Sequence, residues 1–150
     1  MSDSMSCLLF HLVFGTKNRA SALGEDIRPA LHQIVGGISR SIGCWLYEVN
    51  SVQDHMHILV ELPRTMSVAH YMKEVKRKSS KWIRDQGGLY AGFNWQIGYG
   101  AFSVSKSQVD RVRAYIANQQ VHHMKIQFQS EFNQLLEAHG ICLESNESPD

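Results

Sequence analysis

The chain has little of what marks several common protein classes. Its three cysteines, Cys7, Cys44 and Cys142, are widely scattered and include no CxxC pair. An odd, dispersed set argues against a disulfide framework or a cysteine zinc cluster and reads as reduced residues with no common role. No apolar run approaches the length of a membrane span. The start, Met1-Ser2-Asp3-Ser4-Met5-Ser6, lacks the basic beginning and apolar stretch of a signal peptide, so the cytoplasm is the expected compartment. There is no GxxxxGK[ST] phosphate loop, and no ATP requirement is expected. The formal net charge is only +1, so total charge gives no argument for nucleic-acid binding.

What is present fits an ordinary globular protein. With 150 residues, 43% hydrophobic and 19% charged, the chain is expected to form one domain with a substantial core. Residues 143–150 are acidic and polar and read as a disordered tail. Hydrophobic patterning predicts a buried strand over residues 7–16, a helix over 25–42 stopped by Gly43, and a hairpin of strands at 45–52 and 55–62 ended by Pro63. It predicts further helices at 67–85 and from about 107 to 121, with Ser107 as N-cap, and a final one at 128–138. One more strand falls within 99–104. The order strand, helix, strand, strand, helix, strand is that of an α+β sandwich of the ferredoxin or RNA-recognition type.

The triplet His55-Met56-His57 carries the most chemistry. On a strand both imidazoles share one face, while Met56, Ile58 and Val60 take the other. Such a pair offers two nitrogen ligands to one metal ion, although alternating histidines alone are more often solvent-facing or hydrogen-bonded. Far downstream, Tyr115 and Gln119 stand four apart on a helix and can serve one site. Both lie on the flank of the apolar stripe formed by Val109, Val112 and Ile116. A phenol has an unperturbed pKa of about 10 and needs activation to attack a phosphate; a metal or Lys106 would favour its ionised form. Asp54 reads as a turn residue, as a further metal ligand or as a partner that orients an imidazole. His122 and His123 either line the site or end the helix. Lys73, Arg77, Lys81 and Arg84 form one helix face, read either as solvated charge or as a surface for DNA phosphates. Of Tyr90, Phe93, Trp95 and Tyr99, some belong to the core and one or two are candidates to stack on unpaired bases.

These residues resemble the HUH-type single-tyrosine transposases of small bacterial insertion sequences, the IS200-like family. His55-Met56-His57, Phe102-Ser103-Val104-Ser105, Ser107, Tyr115, Gln119 and His122-His123 follow in that family's order and spacing. Phe10-His11-Leu12-Val13-Phe14-Gly15-Thr16-Lys17 looks like its first strand, and the resemblance covers roughly residues 6 to 140. It implies an antiparallel sheet with helices packed on one face and the site against the sheet. It implies Tyr115 as nucleophile and His55, His57 and Gln119 as ligands of a divalent metal, Mg²⁺ or Mn²⁺. It further implies a covalent 5′-phosphotyrosine intermediate on single-stranded DNA, hairpin-forming element ends as partners, and a homodimer. The alternatives are a domesticated relative that processes chromosomal repeats, a non-catalytic nucleic-acid-binding module, and a phosphodiesterase that uses water.

Overall fold

Side-chain alternation gives each strand two different surfaces, and here the two surfaces have separate tasks. The computed structural model describes residues 4–141. Within them β1 (Leu8–Gly15), β2 (Trp45–Ser51), β3 (His55–Leu62) and β4 (Gly100–Val104) form one antiparallel sheet in the order β2-β3-β1-β4. The expected order of strands and the α+β class are realised. The strands at the sheet's centre are the two that read as most apolar.

One face of the sheet is largely hydrophobic. Leu12 and Phe14 of β1 and Met56, Ile58, Val60 and Leu62 of β3 pack beneath two helices, α1 (Arg28–Ser41) and α2 (Val68–Asp85). α1 contributes Leu31, Val35 and Ile38, and α2 contributes Tyr71, Met72, Val75 and Ile83, each set at helical spacing. Ser67 caps α2 by accepting a hydrogen bond from the His70 amide at 3.0 Å. Gly43, at φ +79°, ends the turn after α1 in a conformation that disfavours any side chain.

The opposite face carries the remaining helices: α3 (Val109–Ala117), α4 (Gln119–His122) and α5 (Phe128–Ala138). A smaller apolar cluster of Leu9, Leu59, Val109 and Ile116 seats α3 there. The long helices therefore lie on one face as expected, and the C-terminal helices cover the other.

Two local expectations are corrected. Ser107 is not an N-cap; the N-cap of α3 is Gln108, and Ser107 pairs instead with the Ser105 hydroxyl at 3.1 Å. The helix expected to run to residue 121 breaks at Asn118, whose φ −96° and ψ 16° leave the helical range. The break has a partner in the sheet. Asn50 of β2 donates from Nδ2 to the Ile116 carbonyl at 2.9 Å and the Ala117 carbonyl at 3.3 Å, satisfying carbonyls at the helix end. Gln120 then donates to Asn50 Oδ1 at 2.9 Å, so one side chain clamps both sides of the junction.

Cys7 and Cys44 are free. Cys142 and the segment 143–150 lie outside the described residues. Among the described residues no helix is long and apolar enough to cross a membrane.

Candidate active site and metal centre

The site is built on the polar stripe of β3. His55 and His57 alternate with Met56 and Ile58, so both imidazoles leave the sheet on the side away from α1 and α2, and both are fully buried. Each ring is held at one nitrogen and aimed with the other. His55 Nδ1 lies 2.7 Å from Asp54 Oδ1, and its Nε2 turns inward. His57 Nδ1 lies 2.8 Å from Nε2 of His11 on the adjacent strand, and its own Nε2 turns inward. A carboxylate or a second imidazole behind each ring fixes its orientation, the arrangement seen behind metal-ligating histidines. Asp54 thus lies within hydrogen-bond distance of the His55 ring.

Opposite these rings stand Tyr115 at the end of α3 and Gln119 at the start of α4. Gln119 is fully buried, and its Oε1 lies 3.4 Å from His55 Nε2. The Tyr115 ring meets the His57 ring edge-on, with centroids 5.8 Å apart. Tyrosine, glutamine and the two histidines therefore converge within a single chain, although about 60 residues separate His55 from Tyr115 in sequence.

The centre of the cluster is a residue that sequence reading missed. Glu131 of α5 is 1% exposed. Its Oε1 accepts from His57 Nε2 at 3.0 Å and His123 Nε2 at 2.8 Å, with His55 Nε2 at 3.2 Å. Its Oε2 accepts from the Tyr115 hydroxyl and from Gln119 Nε2, the latter at 3.0 Å. His122 Nε2 is 3.3 Å from the same oxygen but makes no hydrogen bond, and it is a buried atom without a partner. His122 and His123 therefore line the site; they do not merely end a helix.

A local signal for Glu131 existed. Phe128, Glu131, Phe132 and Leu135 follow i, i+3, i+4, i+7 spacing, which puts a carboxylate in the middle of the helix's apolar stripe. Such a carboxylate must be paired when the stripe is buried. Phe128 stacks on His55 at 4.1 Å with nearly parallel rings, and Gly15 makes room for it: a Cβ there would stand 3.0 Å from the Phe128 ring. His11 was equally legible, as the one polar residue facing inward between Leu9 and Val13.

The electrostatics follow from burial and charge pairing. Burial lowers the pKa of His57 to about 4 against the pull of Glu131, and it lowers that of His11 to about 3. Burial opposes ionisation of His55 too, but hydrogen bonds to Asp54 and Glu131 outweigh it and raise its pKa. Burial would raise the Glu131 carboxyl, yet hydrogen bonds from His123, His55 and His57 hold it well below the usual carboxylate range. Burial, then the hydrogen bond to Glu131, raises the Tyr115 phenol above its ordinary value. In this arrangement Tyr115 is held as a neutral phenol that donates to a carboxylate.

The donor set fits a divalent metal. One nitrogen from each of His55, His57 and His123 and one oxygen of Glu131 all lie within 4.8 Å of one another. Nitrogen-rich mixed ligation suits Mn²⁺ or Zn²⁺ better than Mg²⁺. Beside Tyr115 opens a cavity of about 510 Å³ lined in part by Ser103, Ser105, Gln108 and Arg111. Hydroxyls, an amide and a guanidinium are the donors that bind a sugar-phosphate backbone.

The other predicted residues are elsewhere. Lys106 does not reach Tyr115: its Nζ bonds to the Tyr47 hydroxyl at 2.9 Å, because the turn before α3 sits over β2. Lys73, Arg77 and Lys81 are exposed on α2, on the far side of the sheet from the site. Arg77 pairs with Glu74, Lys81 with Asp85, and Arg84 donates to the Phe93 carbonyl at 3.2 Å. Phe93 and Trp95 are core residues, Tyr90 bonds Asp26, and Tyr99 is 40% exposed.

Comparison with known proteins places this geometry. The family described as "Transposase IS200 like" matches residues 4–119. The transposase for insertion sequence element IS200 of Salmonella typhimurium is 33% identical over 119 residues, covering 73% of this chain and 75% of that protein. Two solved structures share the fold. A Deinococcus radiodurans chain assigned as a transposase superposes with a TM-score of 0.62 at 22% identity, covering 79% of this chain and 98% of that one. A REP-associated tyrosine transposase bound to a REP hairpin gives 0.61 at 16% identity, covering 84% of this chain and 76% of that one.

Proposed function

The chain belongs to the IS200-like transposase family, and from that premise we propose that it cleaves and rejoins single-stranded DNA through Tyr115. The observation that carries this reading is the convergence of Tyr115, Gln119, His55 and His57 on one buried point, from three elements. No core-packing requirement brings a phenol, an amide and two oriented imidazoles together in this way.

His55, His57 and Gln119 would hold a divalent ion, which would supply neutralisation of charge on a scissile phosphate. The protein's own groups supply the rest. Asp54 and His11 hold the two imidazoles in place. Ser103, Ser105, Gln108 and Arg111 line the cavity through which a strand reaches Tyr115. The Tyr115 oxygen gives up its proton and forms a bond to the phosphorus, the bond from phosphorus to the 3′ oxygen breaks, and the 3′ oxygen takes up a proton and leaves as a hydroxyl. The 5′-phosphotyrosine keeps the energy of the broken phosphodiester, so rejoining by a 3′-hydroxyl requires no ATP.

The partners in this reading are hairpin-forming DNA ends. The fold-mate bound to a REP hairpin supports them. The functional unit is a homodimer, although Tyr115 already lies beside the histidines of its own chain. The exposed face of Lys73, Arg77 and Lys81 holds phosphates away from the cleavage point, across the sheet. Affiliation with the insertion-sequence relative at 33% identity favours a mobile element over a domesticated repeat processor.

The test is a hairpin-ended single-stranded oligonucleotide incubated with Mn²⁺ or Mg²⁺ and resolved on a denaturing gel. Wild type should give a slow protein–DNA band. Tyr115→Phe removes only the hydroxyl and should lose both cleavage and adduct while still binding DNA. Cleavage by wild type with no adduct at any time would point to water as the nucleophile and refute the proposal.

A further inference from the structure

Glu131 and His123 have no part in the mechanism above, yet they occupy its centre. We infer that both are ligands of the same metal ion as His55 and His57, adding a third imidazole and a carboxylate beside the Gln119 amide. The inference rests on the reading that His55 and His57 bind a divalent ion, and it adds two ligands to that reading.

Three observations support it. First, the distances already suit a shared ion. Glu131 Oε1 stands 2.8, 3.2 and 3.0 Å from the Nε2 atoms of His123, His55 and His57. Neighbouring donors around one ion held at about 2.0–2.1 Å stand roughly 3.3 Å apart in tetrahedral geometry. All four donors lie within 4.8 Å of one another and face one point. Second, one carboxylate oxygen facing three imidazole nitrogens exceeds what its two lone pairs satisfy. A cation among the four donors would satisfy all of them. Third, the carboxylate is delivered deliberately. α5 buries Glu131 to 1% exposure, and Phe128, one turn earlier, is stacked flat on His55.

The two carboxylate oxygens divide their contacts. Oε1 faces the imidazoles, whereas Oε2 takes Tyr115 and Gln119. Gln119 therefore has two candidate attachments, its Oε1 toward His55 and its Nε2 toward Glu131.

The experiment is calorimetric titration of Mn²⁺ alone into the metal-free full chain, with thermal unfolding of each variant as a folding control. Removing even an outer partner of a metal ligand costs roughly 10- to 100-fold in affinity, so Glu131→Gln and His123→Ala should each weaken Mn²⁺ binding at least about tenfold. Glu131→Asp keeps the charge on a shorter arm and tests the site if the glutamine variant does not fold. Wild-type affinity in the Glu131 variants, alongside weakened binding in His57→Ala, would overturn this inference and leave the metal site standing. Tighter binding in Glu131→Gln would overturn it too, since the carboxylate would then block the ion. Unchanged affinity in His57→Ala would remove the metal site itself.

Discussion

Each histidine of the His55-Met56-His57 triplet works because one ring nitrogen is occupied. A free imidazole rotates and exchanges tautomers, whereas a ring anchored at Nδ1 presents Nε2 in one direction. Asp54 provides the anchor for His55 at 2.7 Å and His11 that for His57 at 2.8 Å. Asp54→Asn should therefore keep the turn, and with it the hydrogen bond from the Thr16 amide to the residue 54 carbonyl. It should lower Mn²⁺ affinity by roughly 10- to 100-fold, the usual cost of losing an outer partner. Calorimetry on wild type and variant checks this; equal affinities would make Asp54 a turn residue and nothing more.

At the scale of elements, the division between α2 and the C-terminal helices decides what each can do. α2 buries Tyr71, Met72, Val75 and Ile83 and leaves Lys73, Arg77 and Lys81 in solvent. Two of these three already have acidic partners, Glu74 and Asp85, within the helix. Exposed pairs of this kind are weak, so a phosphate can compete for the lysine and arginine heads. If the face binds DNA, each phosphate contact on a single strand adds about −0.7 to the slope of log K against log salt. Replacing Lys73, Arg77 and Lys81 together by glutamine should flatten that slope and weaken binding to all sequences alike. Salt-dependent fluorescence anisotropy measures it, and a wild-type slope would show the face to be merely solvated. The break at Asn118 is the other consequence at this scale. It separates Tyr115 and Gln119 into two helices, and Asn50 of β2 locks the junction.

Over the whole molecule, the sheet keeps a hydrophobic core on one side and the histidine cluster on the other. His32 of α1 lies on the core side, with Nε2 2.7 Å from the Ser51 hydroxyl, and burial together with Arg28 lowers its pKa to about 4. The sign is fixed by which state takes up protons. Below about pH 6.5 the unfolded chain protonates this histidine, and the folded chain does not until about pH 4. Stability attributable to His32 is therefore complete above pH 6.5 and is lost as pH falls towards 4. Urea midpoints measured in chelator at pH 7, 5.5 and 4.5 should fall for wild type. The fall should be smaller in His32→Gln, whose side chain does not titrate. Identical pH slopes would show that His32 contributes nothing to acid sensitivity. His57 and His11, also held neutral by burial, add to the wild-type slope in the same direction.

Local pattern determined much of this protein. Alternation put His55 and His57 on one face, and the strand over residues 55–62 and the helix over 128–138 form at the expected bounds. Those properties depend on neighbours two to four residues away, which a sequence displays directly. The partners of the site do not. Spacing places Glu131 within an apolar stripe, but its partners are set only when α5 folds back over the sheet and buries it among three histidines. The same closure decides that His123 joins the site, and that His11 on a neighbouring strand anchors His57. It also takes Lys106 to Tyr47 and leaves the basic face of α2 behind the sheet. Side-chain type and spacing fix which chemistry each element can offer; which elements meet is fixed by how their apolar faces pack, and only the tertiary structure contains that.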